Sequence, residues 1–249
     1  MKKAQMPEVA PLEFLIRVVI ALIVIVPTAM WIADLFRGTS KQAIDSYNLL
    51  IKTINEIVDG ELGSLAFTMD PYTAIVAFSK DASEIRYLEA EEGILRPVGT
   101  FKRVSSCPTG TSCVCFCASQ LQLEKNAEGK IPDNPTVTCE KGLSCQPLKN
   151  VQMPSKISIP ELGLHVQKGD SLNYQPVIDD WQKELDALYS FEGGFIFSQE
   201  MRSGNIGYPS LFLTDAQVRL HQLTIERKGD EARFCFKSPC FPKEPTVST

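Results

Sequence analysis

No Cys-x-x-Cys pair occurs in this 249-residue chain, although it carries eight cysteines. That absence counts against the knuckle spacing of zinc and iron–sulfur sites, and against a dithiol redox motif. Histidine is scarce, with His165 and His221 alone available as imidazole bases. Each stands among apolar neighbours, Leu164 and Val166 in one case, Leu220 and Leu223 in the other, and reads as an incidental strand position. There is no Gly-x-Ser-x-Gly elbow, Ser-x-x-Lys, His-Glu-x-x-His or phosphate-cradling glycine loop. The carboxylate pairs Asp179-Asp180 and Glu91-Glu92 are sequence neighbours, which is not the opposed geometry of a glycosidase. No catalytic residue, cofactor or metal site is therefore assigned. The net charge of −5 is spread without blocks of like sign, so nucleic acid is not an expected partner. The one Asn-x-Thr tripeptide in the cysteine region, Asn134-Pro135-Thr136, has proline in the excluded position for N-glycosylation.

What is present begins with an apolar run. Behind a short polar tail, 1–13, residues 14–36 are apolar except for Arg17, Thr28 and Asp34. About 20 apolar residues cross a bilayer, so this stretch reads as a transmembrane helix with Trp31 and Phe36 at the far interface. A cleaved signal peptide has a shorter apolar region, and Thr28-Ala29-Met30-Trp31 makes a poor cleavage site. Lysines and arginines balance on the two sides, leaving orientation to the cysteines, which favour the outside.

A juxtamembrane amphipathic helix is expected over 39–59, with Thr39 and Gln42 as a capping box and Gly60 as the stop. Its apolar stripe is Ile44, Tyr47, Ile51, Ile54 and Val58, widened by Leu50 and Ile57. Two heptads fall short of a coiled coil, so packing on the chain's own domain is favoured over self-association. Beyond Gly60 the texture is that of strands. Ser64–Met69 and Tyr72–Phe78 read as a hairpin across Asp70-Pro71, with the second strand central because it is apolar on both faces. Further strands are expected at Ile85–Ala90, Lys156–Ile159, Leu164–Gln167 and Phe195–Ser198. Another pair joins Gln217–Glu226 to Ala232–Phe236 through Lys228-Gly229-Asp230. Ile178, Trp181, Leu185 and Leu188 mark a second amphipathic helix, broken by Gly193-Gly194. Residues 60–240 thus read as one α+β domain with a mostly antiparallel sheet, followed by a loose tail at 241–249.

Within it, 107–145 is Cys-rich: Cys107, Cys113, Cys115, Cys117, Cys139 and Cys145, with Cys235 and Cys240 further on. Cys107–Cys113 and Cys139–Cys145 repeat the pattern C-x-x-G-x-S-C. In an extended strand, Cys113, Cys115 and Cys117 project from one face, and Val114 and Phe116 from the other, toward the core. A C-x5-C loop with central glycine can turn back far enough to bridge, and Cys235 with Cys240 offers another local closure. Disulfides are favoured over thiolate metal ligands for all eight, although eight cysteines allow 105 pairings. If both repeat units close on themselves, Cys115 and Cys117 must pair elsewhere.

Lys2-Lys3-Ala4-Gln5, with Leu12-Glu13-Phe14-Leu15-Ile16 behind it, resembles the N-terminus of archaeal type IV pilin-like proteins. That resemblance implies a filament subunit assembled through its N-terminal helix. The N-terminal apolar run, Thr73-Ala-Ile-Val-Ala-Phe-Ser-Lys80 and Cys107–Cys117 together are similar to exported, membrane-anchored, Cys-rich archaeal proteins. This second likeness implies an envelope location and no particular activity.

The expectation is therefore a single-pass membrane protein whose disulfide-stabilised extracytoplasmic domain has a structural or binding role at the cell envelope. Its expected partners are the lipid bilayer and either itself or other envelope proteins. A pilin-like filament subunit is the alternative, and a metal- or thiol-dependent envelope enzyme the third reading.

Overall fold

The computed structural model describes residues 40–70, 73–91, 94–119, 121–162, 165–168, 189–198, 209–212, 220–236 and 239–241, together with Val19, Ile23 and Val26. The chain divides into two compact units, Met1–Gly38 and Thr39–Thr249. In the first, the three described residues are helical. All that follows concerns the second.

Helix α1, Lys41–Glu56, starts at Ser40, whose hydroxyl accepts from the Ala43 amide at 3.2 Å. The cap is thus one residue later than the expected Thr39, because Ser40 holds the extended conformation that aims its oxygen at the third helical amide. Its buried face is Ala43, Tyr47, Leu50, Ile51 and Ile54, continued by Ile57. Ile44 and Val58, placed on the stripe by spacing alone, are instead exposed. The helix packs on its own domain, as the short heptad pattern suggests.

Strands follow in the order β1 (Leu62–Thr68), β2 (Ala74–Phe78), β3 (Glu84–Glu91), β4 (Ile94–Lys102), β5 (Cys113–Cys117), β6 (Leu121–Leu123), β7 (Thr136–Cys139) and β8 (Leu143–Pro147). Then come β9 (Lys156–Ser158), the single-turn α2 (Ile159–Leu162), β10 (His165–Lys168), β11 (Tyr189–Glu192), β12 (Gly194–Ser198), β13 (Pro209–Phe212), β14 (Leu220–Lys228) and β15 (Glu231–Cys235). A four-stranded sheet, β12-β2-β5-β8, forms the middle layer. Both of its inner strands, β2 and β5, are buried at every residue, so both faces must be covered.

One face carries Phe195 and Phe197 of β12 and Phe116 of β5. It meets the three-stranded sheet β1-β14-β15 through edge-to-face contacts of Phe195 and Phe197 with Phe234, and meets α1 through the stacked Tyr47 and Phe116 rings, 5.3 Å apart. The Tyr47 hydroxyl reaches the carbonyls of Val114 at 2.8 Å and Ser144 at 3.1 Å, tying helix to sheet, and burial pushes its phenol well above the ordinary range. The opposite face meets the six-stranded sheet β6-β7-β4-β3-β11-β9, with Phe78 against Phe101. A two-stranded pair, β10-β13, completes the set. The β3–β4 register shifts between Tyr87 and Leu88, with Val98 as the extra residue of β4 beside Pro97, a position where a proline is tolerated.

Three expectations are corrected here. The described domain is mostly β rather than α+β, since α1 is its one helix of more than a turn and every layer but that one is sheet. The expected helix around Ile178–Leu188 lies outside the described residues. Ser64–Met69 and Tyr72–Phe78 do not form a hairpin: β1 pairs with β14, and β2 lies between β12 and β5. Burial explains the separation, because β1 alternates wet and dry positions at the rim while β2 needs neighbours on both sides.

The third correction concerns the membrane. Among the described residues no helix is long and apolar enough to cross one, so the expected transmembrane helix and single-pass location are not supported. At 1.5 Å per residue α1 is roughly 24 Å long and apolar on one side only, short of a hydrocarbon core of about 30 Å. The run 14–36 lies outside the described residues apart from Val19, Ile23 and Val26.

Candidate functional site

Three cysteines on one strand organise the centre. On β5, Cys113, Cys115 and Cys117 alternate with Val114 and Phe116, and each bridges in a different direction. Cys113 ties back to Cys107 and closes the first C-x-x-G-x-S-C unit. Cys115 bonds Cys145, its direct cross-strand partner on β8, within the four-stranded sheet. Cys117 bonds Cys139 on β7 and so links the four-stranded sheet to the six-stranded one. Cys235 and Cys240 close locally at the end of β15. No cysteine is free. The second repeat unit does not close on itself: Cys139 ends β7 in the six-stranded sheet, Cys145 lies on β8 in the four-stranded one, and each bonds a cysteine of β5.

Arg103 holds the first unit in place. Its guanidinium donates to the carbonyls of Ala82 (2.5 Å), Pro108 (2.8 Å) and Thr111 (3.1 Å), with Ser79 and Lys80 also accepting, and lies 5.4 Å from the Phe78 ring centre. Desolvation lowers its pKa from the ordinary arginine value, partly opposed by Asp81. Its partners are carbonyls from two separate loops, and no pattern around Arg103 in the sequence marks it.

A surface cleft of about 350 Å³ lies on the outer face of the six-stranded sheet. Register places Glu192 of β11 beside Arg86 of β3, and Arg86 beside Thr100 of β4. Arg86 donates from Nε to Glu84 at 2.8 Å, and its Nη1 lies 3.6 Å from Glu192. Glu84 first, by hydrogen bond and charge, then Glu192 raise the Arg86 pKa. Leu88, Leu95 and Pro97 supply an apolar wall, and Asn134 the remaining polar rim. Among the described residues no histidine, cysteine or lysine lines the cleft, and both carboxylates are engaged by one cation. These residues were not singled out in the sequence; the alternation of Glu84 and Arg86 was the one local sign, and Glu192 comes from a distant strand.

A second ionic group ties α2 to β15. Arg233 Nη1 donates to Glu161 at 2.9 Å, and Glu161 also accepts from the Ser158 amide and hydroxyl, each at 2.6 Å. Burial alone would raise the Glu161 carboxyl, but the two Ser158 bonds and Arg233 outweigh it and hold it below the usual range. A depressed carboxylate stabilises the fold above its unfolded pKa of about 4.3 and loses that contribution as pH falls through the lower folded value. Glu161→Gln is expected to lower the urea midpoint at neutral pH, with the gap to wild type closing as pH drops below about 4. Parallel midpoint curves across that range would remove Glu161 from this role.

His165 sits in β10 opposite Phe212, and His221 in β14 opposite Phe67. Asp179-Asp180 lies outside the described residues, and Glu91 ends β3. Among the described residues no group of His, Cys, Asp or Glu could hold a metal ion.

What the fold and its bonds define is a disulfide-stapled, mostly β domain. Comparison of the chain with protein-family models, curated proteins and solved structures returns no match.

Proposed function

We propose that this domain serves a structural or binding role at the cell envelope, in an oxidising compartment outside the cytoplasm, with other envelope proteins as its partners. The observation that carries the reading is the pairing of all eight cysteines in four disulfides, three of them anchored on the buried strand β5. Disulfides in such number form and persist mainly in oxidising compartments, whereas the cytosolic thiol pool keeps most protein thiols reduced. The exported, Cys-rich archaeal proteins that the sequence resembles agree with that location. The open cleft around Arg86, polar on one side and apolar on the other, is the surface offered to a partner.

Protein denatured without reductant is expected to take up no maleimide, and all eight cysteines are expected to react once it is reduced. Thiols that react before reduction, with zinc recovered in proportion, would overturn the reading.

A further inference from the structure

The second C-x-x-G-x-S-C unit shares with the first its cysteine spacing and its glycine conformation. Gly110 and Gly142 share the same backbone conformation, φ 84° in both, and nothing lies near either. Cys107 and Cys113 are six positions apart and bridged with 5.8 Å between their Cα atoms. Cys139 and Cys145 have the same spacing, and the chain between them has already turned, with the Gly142 amide donating to the Cys139 carbonyl at 3.0 Å. Glu140, Lys141 and Gly142 of that turn are exposed. Cys139 and Cys145 are also the two cysteines that are not fully buried, whereas their partners Cys117 and Cys115 are inaccessible.

We propose that Cys139–Cys145 is the alternative bond of a two-electron switch. A dithiol reductant first attacks at Cys139, the accessible sulfur of the Cys117–Cys139 bond. The bond breaks, the dithiol is oxidised to its own disulfide, and Cys117 and Cys139 become thiols. The Cys139 thiolate then attacks Cys145. The Cys139–Cys145 bond forms, the Cys115–Cys145 bond breaks, and Cys115 leaves as a thiolate that takes up the proton Cys139 gave up. One dithiol is consumed and one protein disulfide is lost, yet two structural links are released together. Cys115 and Cys117 are left as neutral buried thiols, a state apolar surroundings favour. The new bond closes a short loop, so little chain entropy opposes it. The segment from β7 to β8 is then held to β5 by hydrogen bonds and packing alone.

The test treats the intact chain with a limiting amount of dithiothreitol, quenches with acid, labels with a maleimide and maps the labels by mass spectrometry. The expected species carries equal label on Cys115 and Cys117, with Cys139 and Cys145 recovered in one linked peptide. Label on Cys117 with Cys139, or on Cys115 with Cys145, would mean simple reduction without exchange and would overturn the switch. So would first labelling at Cys107, Cys113, Cys235 or Cys240, or reduction of all four bonds together.

Discussion

Gly194→Ala is expected to leave little folded protein. Gly194 opens β12 at φ 141°, a conformation that side chains rarely adopt, and a Cβ there would lie 2.0 Å from the Ala77 carbonyl oxygen and 3.1 Å from the Phe78 Cα. Both obstacles are backbone of β2, which cannot give way because it is hydrogen-bonded on both sides. Gly193 beside it has the same problem against the Glu84 carbonyl, at 2.1 Å. The pair carries the chain from the six-stranded sheet into the four-stranded one, and the Gly193 carbonyl accepts from both the amide and the hydroxyl of Ser79. A loss above about 4 kcal/mol is expected, against a total stability of roughly 5–15 kcal/mol. Gly129→Ala is the control, since that residue also has positive φ but meets nothing within 4 Å, and it should cost only about 1–2 kcal/mol. Soluble yield and urea midpoints of the two variants, compared side by side, check this; equal midpoints would refute the steric argument.

Removing the bond between sheets ranks next. With Cys117→Ala and Cys139→Ala combined, the unfolded chain regains the freedom of a loop whose ends are 22 positions apart, worth roughly 3 kcal/mol. The Cys235–Cys240 pair, five positions apart, should cost roughly 2 kcal/mol when replaced in the same way. Chemical unfolding of the two double variants gives the order directly, and a larger loss from the terminal pair would contradict the loop-length argument.

Much of the local structure could be read from pattern. The apolar stretch Tyr72–Phe78 implied a strand with neighbours on both sides, and β2, Ala74–Phe78, is central. The Lys228-Gly229-Asp230 turn joined two strands as expected, with Gly229 at φ 62°. Elsewhere nearness in sequence misled. Asp70-Pro71 looked like a hairpin turn, but pairing is decided by which sheet needs an edge, and β14 supplies it from far along the chain. The α1 stripe was rotated slightly from the true one because spacing does not say where the packing surface is centred. Glu192 escaped notice for the same reason as Arg103: its partner Arg86 is brought to it across strands, and only the local alternation of Glu84 and Arg86 left a trace in the sequence.

By itself the sequence determined that Cys113, Cys115 and Cys117 would share one face of a strand, because side-chain alternation is a property of the extended backbone. Spacings that lack a knuckle made cross-links the favoured fate of the cysteines over metal binding, and the four bonds are seen in the structure. Only the tertiary structure decided the partners. Two units with identical spacing and identical glycine geometry behave differently, one closing on itself and the other reaching across to β5, because a disulfide forms between whichever sulfurs the packed sheets bring together, and that choice is made by strands far apart in the chain.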